Sequence, residues 1–156
     1  ASAIKCHEMA KEEGIPTALT LSDVSMVSFF RESLTSIIGN GVDVLFCNAE
    51  EALSWAQTDR LDIAINELKD IAPELYITLG SDGAKGVTKS GAKNINGLAV
   101  SPVDTNGAGD IYAGACLAAR SQGASPQDAA RFANHAAAHL IQLFGARLPP
   151  YKLMRI

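Results

Sequence analysis

The sequence has no paired cysteines, no long apolar run and no excess of positive charge. Cys6, Cys47 and Cys116 lie far apart and form no C-x-x-C pair. So sparse and odd a set argues for free thiols in a reducing compartment rather than a disulfide framework. No apolar stretch approaches the roughly 20 residues that a membrane helix needs, so no membrane partner is expected. The formal net charge is −4, which offers no overall basic field to nucleic acid. The opening residues Ala-Ser-Ala-Ile-Lys-Cys-His-Glu-Met-Ala contain neither an initiator Met nor the apolar core of a secretion signal. They read as a helix entered within a longer protein, and a cytoplasmic location is expected.

What is present suits a domain with a real core. Of 156 residues, 47% are hydrophobic and 19% charged, too apolar for a disordered segment. Helical spacing is expected over Ala3–Glu13, stopped by Gly14, and a short strand over Pro16–Leu21. Asp23 or Ser25 would cap the next helix, which carries Phe29, Phe30, Leu34, Ile37 and Ile38 and ends at Gly39-Asn40-Gly41. Val42–Cys47 reads as a buried strand with Asn48 at its end. Helices follow over Ala49–Ala56 and Leu61–Ile71, then a strand over Glu74–Leu79 that runs into a Gly80-Ser81-Asp82-Gly83 turn. Residues 84–100 read as short antiparallel strands or a hairpin. Two Ala-rich helices, Gly107–Gln122 and Ser125–Phe144, close the chain, the second with Pro126 at its first turn after a Ser cap. Alternating strands and helices predict an α/β domain with a mainly parallel sheet. Ligands of such sheets gather at the C-terminal strand ends, where Asn48, Gly80 and the 104–110 loop fall.

The most informative stretch is Asp104-Thr105-Asn106-Gly107-Ala108-Gly109-Asp110, followed at once by an apolar helix. Its glycines let backbone approach a ligand closely. The unpaired amides of the helix start suit an anion such as a phosphoryl group. Asp110, at that same start, is placed to accept a proton from a substrate hydroxyl. An ordinary helix N-terminus with an acidic first turn would show the same pattern.

That seven-residue stretch resembles the second signature of PfkB (ribokinase-like) kinases, and three other pieces match in order. They are Asn48-Ala49-Glu50-Glu51, Thr78-Leu79-Gly80-Ser81-Asp82-Gly83, and Arg131-Phe132-Ala133-Asn134-His135-Ala136-Ala137-Ala138 running on to Gly145-Ala146. The resemblance covers essentially the whole chain and implies a ribokinase-like α/β fold, with residues 1–156 forming its nucleotide-binding and catalytic C-terminal part. It implies ATP-dependent phosphoryl transfer to a hydroxyl of a small sugar or nucleoside. Asp110 would be the base, and the amides of Gly107, Ala108 and Gly109 the anion hole. Asn48 and Glu51 would act through Mg²⁺, by way of water. Thr78, Gly80, Ser81 and Gly83 would lie along the nucleotide and Asn134 near its base. Some members bind K⁺, which here would use Asp104 and the backbone carbonyls of Asn106 and the Gly145 segment. The family's glycine-rich first signature, most acceptor contacts and a small lid belong to an N-terminal half that this sequence does not contain. The 156 residues alone are therefore expected to be inactive, and the acceptor is not specified beyond a weak lean to adenosine-kinase-like members. A homodimer of the full-length protein stays open.

Other features have plainer readings. His135 and His139 share metal-ligand spacing, but no third ligand accompanies them, so two exposed or partly packed histidines are expected. Gly80, Gly83 and Gly86 form neither a Walker A loop nor a dinucleotide fingerprint. Trp55, Phe29 and Phe30 read as core or partner-contact residues rather than base-stacking platforms. A non-catalytic nucleotide-binding module is the alternative to a kinase.

Overall fold

Local sequence signals set most of the element boundaries in the computed structural model, which describes residues 2–148. The order is α1 (Ser2–Glu12), β1 (Ala18–Thr20), α2 (Val24–Ile38), β2 (Val44–Asn48), α3 (Ala49–Ala56), α4 (Leu61–Leu68), β3 (Glu74–Thr78), a 3-10 turn (Gly80–Asp82), β4 (Gly83–Thr88), β5 (Gly91–Asn96), α5 (Ala108–Ser121) and α6 (Pro126–Leu140). Asp23 caps α2 by accepting the Ser25 N–H at 2.6 Å, and hydrogen bonding from Ser25, its side chain first and then this amide, holds the Asp23 carboxyl below the usual range. Ser125 caps α6 through the Asp128 N–H, with Pro126 in the first turn. Gly39, at φ 55°, ends α2 by donating its N–H to Thr35, a conformation that a side chain would strain.

The five strands form one mainly parallel sheet in the order β1-β2-β3-β4-β5. β1 and β2 pair in parallel, Ala18 opposite Val44 and Thr20 opposite Phe46, and the link between them is helix α2, as a parallel crossover requires. Only Lys89 and Ser90 separate β4 from β5, a link short enough for an antiparallel pair alone. β2 and β3 are buried along their centres, with the Phe46 and Tyr76 rings stacked at 5.3 Å between centroids.

Contacts divide the chain into two compact units. One runs to Ile77 and takes back Val87–Gly91; the other takes Thr78–Gly86 and continues from Ala92. In the first unit Leu45, Ala52, Ala64, Leu68 and Ile77 are fully buried, and Trp55 is a core residue. There Arg31 lies over the Trp55 ring at 5.3 Å and pairs with Glu67 at 3.2 Å. Phe29 and Phe30 are 80% and 52% exposed; α2 buries Val27, Leu34 and Ile38 instead, and its backbone leaves helical geometry at Phe30. In the second unit the small side chains Ala129, Ala130, Ala133 and Ala136 are fully buried on α6, which packs closely against α5 as small residues allow. Among the described residues, no helix is long and apolar enough to cross a membrane.

The expected end of α6 was Phe144; the helix stops at Leu140. The Ile141 carbonyl instead accepts the N–H groups of Val103 and Asp104, at 2.7 and 3.1 Å. That long-range pairing replaces the next helical turn.

Candidate functional site

A cavity of about 270 Å³ in the second unit gathers residues from well-separated parts of the sequence. Thr78, Gly80, Ser81 and Gly83 come from the end of β3 and the turn beyond it, Ala108 and Gly109 from the start of α5, and Asn134 from α6. All seven were singled out from the sequence. Its apolar wall, including Leu98, Val100, Tyr112 and Ile141, was not. Those residues are ordinary hydrophobic positions until the fold brings them together. Burial pushes the Tyr112 phenol well above its usual range, with Cys116 adding to the shift.

Two glycines make this geometry possible. A Cβ on Gly83 would run into the Ile95 carbonyl oxygen, and one on Gly97 into the Ser81 carbonyl oxygen. Gly83 also has φ 96°, open to glycine at little cost. The turn after β3 can therefore lie directly against the chain leaving β5, with the Leu79 N–H bonded to the Gly83 carbonyl at 2.8 Å.

Asn134 is buried, and its Nδ2 donates to the carbonyls of Ile95 and Asn96 at 3.2 and 3.0 Å. Two carbonyl partners fix which end of the amide is nitrogen. Its Oδ1 accepts nothing from the described residues, which leaves an acceptor on a residue lining the cavity.

At the start of α5, Gly107 occupies the cap position with φ 77°. The Ala108 N–H is engaged, donating to the Thr105 carbonyl at 3.2 Å. Among the described residues, the amides of Gly107, Gly109 and Asp110 have no acceptor, as the first turn of a helix leaves them. Asp110 is exposed. Asp104 accepts the Asn106 N–H at 2.9 Å and the Gly145 N–H at 3.0 Å, and these amides, Asn106 first, hold its carboxyl below the usual range.

In the first unit, Asn48 and Glu51 form a reciprocal cap at the start of α3. The Glu51 N–H donates to Asn48 Oδ1 at 2.8 Å, while Glu51 accepts the Asn48 backbone N–H at 3.0 Å and its Nδ2 at 2.7 Å. Glu51 is only 6% exposed. Desolvation raises its carboxyl above the usual range against the opposing Asn48 bond, and Asp23 and Glu50 add to the rise.

The family model described as pfkB family carbohydrate kinase matches residues 2–152. The chain belongs to the pfkB family. Ribokinase from Bacillus subtilis is 37% identical over 87 residues, 55% of this chain and 30% of that one. Adenosine kinase from Saccharomyces cerevisiae is 26% identical over 96% of this chain and 48% of its own length. The solved adenosine kinase from Sinorhizobium meliloti superposes with a TM-score of 0.89 at 30% identity, covering 94% of this chain and 46% of that one. The chain thus spans less than half the length of these pfkB relatives.

The donor set can be tested against the nucleotide and cations that pfkB membership suggests. The cavity combines an apolar lining, close backbone at Gly80 and Gly83, and amides at the start of α5, a combination that fits a nucleotide. Glu51 presents a carboxylate whose ionised form would be relieved by a nearby divalent cation. Each Asp104 oxygen accepts one amide, which leaves lone pairs open to a cation. Among the described residues, no group of three or more His, Cys, Asp or Glu is placed to hold a metal by itself; His135 is exposed and His139 half-buried.

Proposed function

We propose that this chain supplies the nucleotide-binding and catalytic part of a kinase that transfers the ATP γ-phosphoryl group to a hydroxyl of a small sugar or nucleoside. One observation carries the reading. Seven residues picked from the sequence line a single cavity whose wall includes the first turn of α5, and Asp110 is the next residue of that turn. In this reading the purine lies against Leu98, Val100 and Ile141, with Asn134 Oδ1 left to accept a hydrogen bond from it. The phosphates run toward the start of α5. There the amides of Gly107 and Gly109 face the charge that develops on transfer; Ala108 contributes only if its bond to Thr105 opens. Asp110 takes the proton of the acceptor hydroxyl as the new oxygen–phosphorus bond forms and ADP leaves.

Mg²⁺, when bound, neutralises phosphate charge. Asn48 and Glu51 would act on it through water, their own mutual bonds keeping the Glu51 carboxylate fixed in direction. Adenosine and other nucleosides head the acceptor panel, because two of the relatives described above are adenosine kinases.

The deciding experiment measures ATP consumption by the intact protein against a panel of nucleosides and sugars. Acceptor-dependent ADP release establishes the kinase and names its acceptor class. MgATP binding without turnover toward any acceptor would instead mark a nucleotide-binding module, and no binding at all would sink both.

A further inference from the structure

Three Asn-Gly pairs occur in the sequence: Asn40-Gly41, Asn96-Gly97 and Asn106-Gly107. Such a pair is prone to deamidation, because no Cβ shields the glycine nitrogen from the side-chain amide carbon of the asparagine before it. All three asparagines are exposed, so access does not separate them. The glycine nitrogens do. The Gly41 N–H donates to the Ile38 carbonyl at 2.9 Å, and the Gly97 N–H to the Asp82 carbonyl at 3.2 Å. Asn96 is held a second time, its own carbonyl accepting Asn134 Nδ2 at 3.0 Å. Among the described residues, the Gly107 N–H has no acceptor. The backbone N–H of Asn106 is taken by Asp104, while its side chain has no partner among the described residues.

We propose that Asn106-Gly107 is a self-modification site, at which spontaneous deamidation alters the start of α5. Once hydroxide removes the Gly107 amide proton, that nitrogen attacks the side-chain carbonyl carbon of Asn106. The new carbon–nitrogen bond closes a succinimide, and the side-chain nitrogen takes a proton from water and leaves as ammonia. Water then opens the ring at either carbonyl, which puts aspartate or isoaspartate at position 106. The consequence for activity rests on the kinase reading above. In the ring, the Gly107 nitrogen carries no hydrogen, so one donor of the anion hole is gone. In isoaspartate, an extra backbone methylene displaces Gly107 from its place as the cap of α5. Both products add a negative charge to the loop that holds Asp104 and Asp110, which opposes an incoming phosphate. An amide left free to meet a phosphoryl oxygen is also free to attack its neighbour.

The test incubates the intact protein in warm, mildly alkaline buffer and follows each Asn-Gly pair by peptide mapping, with aspartyl and isoaspartyl forms separated by chromatography. Position 106 should convert at least about tenfold faster than positions 40 and 96, whose bonded glycine amides react only after local opening. In urea, with that protection removed, the three rates should come within about threefold of one another. Equal rates in the native protein overturn the proposal. So does the native preference persisting in urea, because the free Gly107 amide would then not be its cause. Turnover with an acceptor the wild type uses should fall in step with conversion at 106. An Asn106→Gln variant, scored against its own starting rate, should keep its turnover at least about tenfold longer, since the longer side chain closes a larger ring less readily. Turnover that survives full conversion overturns the assigned effect on α5. A wild type inactive toward every acceptor removes the kinase reading instead, and peptide mapping still decides the site.

Discussion

Glu51 and Asn48 hold each other through three hydrogen bonds of 2.7 to 3.0 Å, one of which caps α3. The bonds do not offset burial, and the Glu51 carboxyl stays above its usual range. The folded state therefore binds the Glu51 proton more tightly than the unfolded chain does. The stability this gives is fully present below the ordinary glutamate pKa and is lost as pH rises through the raised folded value. Wild type should gain in thermal stability relative to Glu51→Gln as pH falls from neutrality toward the ordinary glutamate range. Melting curves of both proteins across that range check the sign, and a wild type that loses stability relative to Glu51→Gln as pH falls would show that the carboxylate is not destabilised.

Asp110→Asn removes the proposed base while leaving the start of α5 in place. Turnover should fall by about 10²- to 10⁴-fold, with ATP affinity nearly unchanged in equilibrium titration. Near-normal turnover in this variant would take Asp110 out of the reaction.

Ala137 lines the cavity from α6, and Ala137→Leu should obstruct it. Overpacking of this kind is expected to weaken ATP binding by about 5- to 100-fold, while far-ultraviolet circular dichroism stays that of wild type. Unaltered affinity would place the base elsewhere.

Two glycine substitutions should act in opposite directions. Gly83→Ala introduces a Cβ against backbone at φ 96° and should destabilise the fold by at least about 2 kcal/mol. Gly114, inside α5, has nothing within 4 Å of the Cβ position, so Gly114→Ala should stabilise by about 0.5–1 kcal/mol. Urea titration of each variant measures both.

Most of the fold was legible because its signals are local. Ser125-Pro126 starts α6, Gly39 ends α2, and the apolar run before Asn48 is a buried strand. The errors arise where distant backbone competes. No periodicity in Gln142–Phe144 shows that Ile141 will serve Val103 and Asp104. For Phe29 and Phe30, read as core or partner-contact residues, α2 turns Val27 and Leu34 inward and leaves both rings exposed, which removes only the core alternative. The candidate site was legible as motifs, but not as a division of labour. That Asn134 spends its nitrogen on Ile95 and Asn96, or that Asp104 reaches Gly145, depends on pairs 38 to 41 residues apart. The Asn48–Glu51 capping box is a one-turn pattern, yet in the sequence the pair stood out only through its resemblance to a family element.

The cysteines differ sharply in access: Cys6 is exposed, while Cys47 and Cys116 are buried. Burial, and secondarily the Glu51 charge, push the Cys47 thiol far above its usual range, so it has almost no thiolate with which to react. An alkylating reagent should then label Cys6 at once and reach the other two only as the structure opens around them. Cys47 sits in β2 and Cys116 in α5, one in each compact unit. The native chain thereby carries two internal clocks, which can time the opening of each unit separately without any added probe.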